Sequence, residues 1–434
     1  MESEVETYRI AALNRMVETF GDELTVQTVA QLSEQRALFV EDGNHGENRP
    51  RQNEFASTGI AFIRPPDLKD GRVDFENCDR INDAGFKRVR KGIGRPGDII
   101  LTHRATVGRI AITADDAPTV FVTNPGTTVW RSTKPDVLDQ KYLYCFMRSP
   151  AFMDQLWAQV GNNSTFDYVS LTQQRGLFVA YPSLSMQKAI AEMVNALDEK
   201  IELNRRMNGT LEALAQALFK EWFVDGAKEE WKEKRLSDLV QTQYGYTASA
   251  SSDEVGPKFL RVTDINKQNW IEWSAVPQCV IEGKDADAYK LKVGDILVAR
   301  MADPGKSAII EEEVDAVFAS YLVRLKTSNL AQSYFLYHYL KSPAYLEYCE
   351  GAKSGTVQLN MNAKVIVAVQ FKVPPQQLMD RFLDSVLPLR KRIVANVNES
   401  RTLAALRDTL LPKLMRGVVR VKDATHALTN TTQP

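Results

Sequence analysis

Cysteine and histidine are scarce: the 434 residues hold four of each. Cys78, Cys145, Cys279 and Cys349 stand far apart, with no CxxC pair and no ladder of spacings. That pattern excludes a disulfide framework and predicts four reduced thiols serving as small core residues. The histidines show neither HExxH nor HxH spacing, which removes the common zinc hydrolases. No apolar run approaches the roughly 20 residues that span a bilayer. The opening MESEVETYRI is acidic and lacks the basic-then-apolar order of a signal peptide, so a cytoplasmic location is expected. An excess of charge is missing too. The formal net charge is −1, which neither announces a nucleic-acid binder nor excludes one, because the local field decides.

What is present is length and ordinary globular composition. The chain is 44% hydrophobic and 25% charged, and its size calls for two or three domains. One stretch is locally basic: Lys87, Arg88, Arg90, Lys91 and Arg95, then His103, Arg104 and Arg109, with Asp98 the only acid among them.

The most informative feature is an internal duplication. GIAFIR at Gly59 corresponds to GPKFLR at Gly256, 197 positions later. GDIILTHRATVGRIAI at Gly97 corresponds to GDILVARMADPGKSAI at Gly294, again 197 positions on. Each reads as strand, polar loop, strand after a Gly-Asp turn. YLYCFMRSPAF (142–152) then matches FLYHYLKSPAY (335–345), a helix stopped before Pro150 and Pro343. GNNSTFDYVSL from Gly161 matches GAKSGTVQLNM from Gly351.

A long helical pattern follows each copy. In the first, Ile190, Leu197, Asn204, Leu211 and Leu218 lie seven apart, with Val194, Ile201, Asn208, Ala215 and Trp222 between them. In the second, Phe382, Leu389, Asn396, Leu403 and Leu410 hold the corresponding places. Sustained heptads predict a coiled-coil pair. Pro388 is expected to kink or delay the second helix. If the helices run antiparallel with Ile190 beside Leu410, Asn204 meets Asn396, and the two amides can pair and fix register. The alternative is that each Asn sits at the seam edge and bonds water. Helices of about 33 residues would be about 50 Å long.

The expected fold is α+β: two similar β-rich domains separated by two long antiparallel coiled-coil helices, related by a pseudo-two-fold axis. The expected boundaries are an N-terminal helix (1–20), a first domain (21–181), a central helix (182–225), a second domain (226–373), a C-terminal helix (374–420) and a tail (421–434). Tyr8, Ile10, Leu13, Met16, Val17 and Phe20 give the first segment a loose helical spacing, suited to packing on the C-terminal helix.

Signals for catalysis are weak. An amino-methyltransferase needs an Asn/Asp-Pro-Pro-aromatic loop, and the nearest string, Asn124-Pro125-Gly126, lacks the second proline and the aromatic. Gly92, Gly94 and Gly97 form a GxGxxG, but it follows a basic stretch, contains Pro96 and leads into a strand-like run, so a turn is the better reading. Gly305-Lys306-Ser307 lacks the upstream glycine of a phosphate loop. Asp198-Glu199-Lys200 has nuclease-like composition but lies on a heptad helix, and no acid-x-lysine on a strand follows Pro66-Asp67. Neither a catalytic residue, a metal nor a cofactor is indicated. A DNA-modifying enzyme and a two-domain protein-binding scaffold are the alternative readings.

The segments PSLSMQKAIAEMVNALDEKIELNRRMNGTLEALAQALFKEWFVD (182–225) and PPQQLMDRFLDSVLPLRKRIVANVNESRTLAALRDTLLPKLMRG (374–417) resemble the spacers of type I restriction–modification specificity subunits. DGNHGENRPR (42–51) with GDIILTHRATVGRIAI resembles one class of their target recognition domains. The resemblance implies a non-catalytic protein bound to double-stranded DNA. Each domain would read half of a split, asymmetric target. The spacers would hold the separation and dock two methyltransferase subunits, which motor-endonuclease subunits join for cleavage. The second domain lacks a DGNHG segment, and YGYTASASSDEVG (244–256) stands in its place, so the halves are expected to read different sequences.

Base edges are read by polar side chains in loops and at strand ends, while cations hold phosphates. In the first domain the candidates are His45, Arg49, Arg51, Arg64, Thr102, His103, Arg104, Arg109, Asn162, Asn163 and Ser164. In the second they are Arg261, Thr263, Arg300, Lys306, Lys353, Ser354, Thr356 and Gln358. Arg64 and Arg261 read equally as ordinary surface charges or internal salt-bridge partners, and His45 as a turn histidine. Arg205, Arg206, Trp222 and Phe223 are candidates for methyltransferase docking, with Trp222 and Phe223 alternatively capping a local core.

Overall fold

A computed structural model describes residues 14–16, 18, 20, 23–161, 167–281, 283–353 and 360–417. The chain divides into two compact units, Met1–Glu199 with Ala404–Pro434, and Lys200–Leu403. The division falls inside the two long helices, not at their ends.

The first unit is built on an antiparallel sheet of β1 (Leu38–Asp42), β2 (Ile99–Thr102), β3 (Ile110–Ile112) and β4 (Thr127–Ser132), in the order β3-β2-β4-β1. Side chains alternate along a strand, and here both faces are covered. Ile99, Leu101 and Trp130 enter one core, and Ile100, Ala111, Phe121 and Val129 enter another. The larger core is closed by α1 (Gln140–Met147) and α2 (Pro150–Ala158). Asp139 caps α1 by accepting the Tyr142 N–H at 2.8 Å, and Pro150 opens α2, where its missing N–H costs nothing. The long helix α3 (Leu184–Phe219) follows.

The second unit repeats the plan. Its sheet comprises β5 (Gln241–Tyr244), β6 (Ile296–Ala299), β7 (Ser307–Ile309) and β8 (Leu322–Lys326), in the order β7-β6-β8-β5. The register repeats as well. Ile99 opposes Ile112 in one sheet, and Ile296 opposes Ile309 in the other, each 197 positions on. Helices α4 (Leu330–Tyr339) and α5 (Pro343–Lys353) stand where α1 and α2 do, and α6 (Gln376–Met415) ends the described chain. Both units also contain a parallel pair, Ile60–Ile63 with Phe121–Thr123 and Lys258–Leu260 with Ala316–Phe318.

Within each unit the segments of α3 and α6 lie antiparallel. In the first, Arg407 Nη1 is 2.7 Å from Asp198 Oδ1. In the second, Lys200 pairs with Glu399 at 3.1 Å, Glu212 with Arg390, and the rings of Phe219 and Phe382 are 6.1 Å apart. Pro388 neither delays nor ends α6, which starts at Gln376 and continues to Met415. Asn204 and Asn396 are both buried at the seam, but their amides do not pair. Asn204 Nδ2 donates to Glu399 Oε2 at 2.8 Å, to Ser400 Oγ at 3.2 Å and to the Asn396 carbonyl at 3.4 Å. Asn396 Nδ2 donates instead to Asn208 Oδ1 at 2.8 Å, one helical turn further along. A carboxylate across the seam is the stronger acceptor and takes the Asn204 amide.

The four cysteines are buried. Met16 is buried in the core that also contains Leu411, Leu414 and Met415. No helix among the described residues is long and apolar enough to cross a membrane.

Candidate nucleic-acid interface

In the first unit three loops leave one end of the sheet: 43–54 after β1, 103–109 after β2 and 124–126 before β4. Pairing of Thr102 with Thr127, and of Thr128 with Asp42, brings their roots together. Gly43 is required there, since a Cβ would lie 2.5 Å from the Asn124 backbone. The loop after β2 is held by backbone bonds on every side. The His103 N–H donates to the Gly126 carbonyl at 3.0 Å, and the His103 carbonyl accepts from Val169 N–H at 2.9 Å. Gly108 N–H returns to the Thr102 carbonyl at 2.9 Å.

The second unit copies this loop. Arg300 N–H donates to the Tyr321 carbonyl at 2.9 Å, its carbonyl accepts from Met361 at 2.8 Å, and Gly305 N–H returns to Ala299 at 3.0 Å. Ala105 and Ala302, 197 positions apart, both hold φ at 63°. That left-handed conformation costs an alanine about 1–2 kcal/mol. Backbone strain of this kind concentrates at functional sites, and here it recurs in both copies.

The DGNHG segment and the basic stretch are stapled together. Buried Asn44 accepts the Arg90 and Lys91 N–H groups at 2.8 and 3.1 Å and donates to the Lys91 carbonyl. Asp42 meets Lys91 and the ring of His45, the latter at 3.0 Å. Burial opposes ionisation of Asp42, but the bonds from Lys91 and His45 prevail and hold its carboxyl below the usual range. His45, Arg49 and Arg51 are exposed around this staple, as are Arg104 and Arg109 on the loop after β2. Arg104 lies over the ring of Tyr168 at 6.0 Å, and Arg109 Nη1 reaches the Pro65 carbonyl at 3.4 Å. The turn at Pro65 and the loop after β2 therefore share one surface.

Several expected contacts are not surface groups. Thr102 and His103 are buried. The Thr102 hydroxyl donates to the Thr106 carbonyl and accepts the Arg109 N–H at 2.9 Å, so it shapes the loop rather than facing a ligand. The His103 ring bonds the Val169 carbonyl at 3.0 Å, and burial lowers its pKa. Arg64 and Arg261 are half-exposed but already engaged: Arg64 pairs with Asp79 at 2.9 Å, and Arg261 grips Asp264 at 2.9 and 3.0 Å. Phe223 is buried among Phe219, Phe335 and Phe382, and half-buried Trp222 packs on Phe382 under Arg381. Phe223 caps the second core, and Trp222 caps it with part of its surface left open. Arg205 and Arg206 are exposed and lie beside Glu202.

In the second unit Thr263 and Lys306 are exposed, and Arg300 is half-buried with its guanidinium 4.9 Å over the Tyr244 ring. Asn162, Asn163, Ser164, Ser354, Thr356 and Gln358, with the side chain of Lys353, lie outside the described residues. Gly92, Gly94 and Gly97 belong to a strand and turn leading into β2, not to a helix, so no dinucleotide loop exists there. Among the described residues no cluster of His, Cys, Asp and Glu is suited to a metal. The sequence passed over exposed aromatics beside these loops, Tyr168 in the first unit and Tyr244 and Tyr321 in the second. Nothing in their spacing separates them from core tyrosines.

The model of the type I restriction modification DNA specificity domain matches twice, over residues 44–213 and 228–398. The chain belongs to the type I restriction–modification DNA specificity family. The second match contains the whole four-stranded sheet of its unit, and the first contains β2, β3 and β4 and begins just past β1. A type I restriction enzyme specificity subunit of Methanocaldococcus jannaschii is 27% identical over 400 residues, covering 85% of this chain and 89% of that one. A HindI specificity subunit of Haemophilus influenzae is 22% identical, covering 87% of this chain and 98% of that one. A crystal structure of the S subunit of a type I system from M. genitalium shares the fold, with a TM-score of 0.53, 14% identity and coverage of 90% and 96%.

Proposed function

We propose that each specificity domain reads one half of a bipartite, asymmetric duplex target through the loops at the end of its main sheet. The carrying observation is the repeated, strained loop after β2 and β6, built on the same backbone bonds in both copies but presenting different side chains. The first copy offers Arg104 and Arg109, the second Arg300, Asp303 and Lys306. One scaffold with two sets of tips is what two different half-sites require. In this reading His45, Arg49, Arg51, Arg104 and Arg109 hold the first half, and Arg300, Lys306 and Thr263 the second. Asn162, Asn163, Ser164, Lys353, Ser354, Thr356 and Gln358 belong to the same reading by their place in the repeat.

The chain contributes recognition and leaves methyl transfer and cleavage to its partners. Two methyltransferase subunits would dock along the helices, with Arg205 and Arg206 on the exposed side of α3. Motor-endonuclease subunits then complete the complex in the cytoplasm, where the DNA is. Helices α3 and α6 would act as the ruler that sets the gap.

The test is duplex binding by the chain with its methyltransferase subunits, measured against salt. Neutralised phosphates release counterions, so log K should fall linearly with log salt, by about 0.9 per phosphate contact. Binding that ignores salt, or is absent, rules the reading out.

A further inference from the structure

The geometry assigns Tyr321 as a base-reading residue of the second domain, an assignment that rests on the DNA reading above. Tyr321 and Gly126 hold the same place in the repeat. The carbonyl of Gly126 accepts the His103 N–H at 3.0 Å, and that of Tyr321 accepts the Arg300 N–H at 2.9 Å. Where the first domain has no side chain, the second carries a phenol that is 56% exposed, more than any other aromatic among the described residues.

Its backbone is fixed. The Ser320 N–H donates to the Tyr246 carbonyl at 2.8 Å, and Leu322 N–H to Ala319 at 2.9 Å, closing a tight turn. The Tyr321 hydroxyl has no partner among the described residues. A rigid, exposed tyrosine presents a large apolar ring with a polar tip at low entropic cost, the combination that anchors interfaces. On duplex DNA the ring suits a thymine methyl, and the hydroxyl suits a donor or acceptor on a base edge.

Its neighbour in the loop supplies the complementary chemistry. Half-buried Arg300 is held over Tyr244, donates to Asn360 Oδ1 at 3.4 Å, and leaves its buried Nε–H without a partner among the described residues. The two domains thus differ at this place: the first has a glycine beside a buried histidine, and the second an exposed phenol beside a half-buried guanidinium, suited to base edges.

The experiment uses the full chain with its methyltransferase subunits and the target motif taken from methylated positions in the host genome. Binding is measured to the intact duplex and to duplexes with each base pair replaced in turn. Tyr321→Ala should weaken the intact site by roughly tenfold or more and flatten discrimination at one or two base pairs of one half, leaving the other half unchanged. Tyr321→Gly restores the residue of the equivalent position, whose backbone is tolerated there, and should behave alike. Full discrimination in both halves overturns the assignment, as does a uniform loss over all duplexes, or a large fall in melting temperature in both variants. A wild-type complex without salt-sensitive binding instead removes the DNA reading itself, a distinguishable result.

Discussion

Thr102, His103 and Arg104 are consecutive, polar and at a strand end, yet they do three different things. Thr102 continues the inward alternation of β2 and satisfies the loop, His103 is clamped between Gly126 and Val169, and Arg104 alone projects outward. The sequence made the region legible but not the individual residues, because facing is set by backbone bonds to residues 23 and 66 positions away. Arg104→Ala should therefore weaken duplex binding and reduce its salt slope by about one contact without changing thermal stability. His103→Ala should lower stability first. A melting temperature that falls only for Arg104→Ala would reverse these roles. The histidines also set a pH dependence. Burial holds His103 below its ordinary value, and burial with the nearby charges of Arg390 and Lys341 holds His338 well below. The unfolded chain takes up these protons near pH 6.5 while the folded chain does not. Stability is then full above that pH and should fall, by up to about 1.4 kcal/mol per pH unit per histidine, as pH drops below it. Denaturant titrations at pH 7.5, 6.5 and 5.5 would show this, with His338→Gln flattening the trend. The lowered carboxyls of Asp42, Asp74 and Glu399 act in a separate window, below their ordinary values of 3.8, 3.8 and 4.5.

At the scale of the element, the heptads of α3 and α6 were readable because a period of seven needs no knowledge of the partner. The pairing of their polar residues was not, since Glu399 and Ser400 compete for the Asn204 amide and are invisible to a count along one seam. Pro388 looked like a kink or a delayed start, but burial of Phe382 and Val386 in the second core outweighs a single missing N–H, and the helix starts at Gln376. Trp222 and Phe223 read as a docking tip because helix ends are often exposed, whereas the second core extends to cover Phe223 and part of Trp222. Asn396→Leu should cost about 1–3 kcal/mol, because Asn208 loses its buried partner. Asn208→Leu combined with Asn396→Leu should recover most of that loss, and a double-mutant cycle in thermal or denaturant unfolding would expose the coupling. Arg390, buried between Glu212 and Glu311, is a harsher case. Arg390→Ala strands two carboxylates and should cost about 3–5 kcal/mol, whereas an additive loss near zero would show that the network is dispensable.

At the scale of the whole molecule, the duplication carries the account. The offset of 197 shared by the blocks at Gly59 and Gly97 reappears as the same strand order, the same pairing of β2 with β3 and of β6 with β7, and the same left-handed alanine. Two copies of one scaffold with unlike tips were therefore legible from the start, while the tips' chemistry was not, because Tyr321 differs from Gly126 only in what it exposes. If the helices set the gap, inserting four residues into each adds about 6 Å and should lengthen the unread gap by about two base pairs without altering either half. The most direct measurement is a map of methylated positions across the host genome. The account predicts two short, dissimilar blocks separated by a fixed stretch of unspecified bases. A single uninterrupted palindrome, or one block alone, would contradict it.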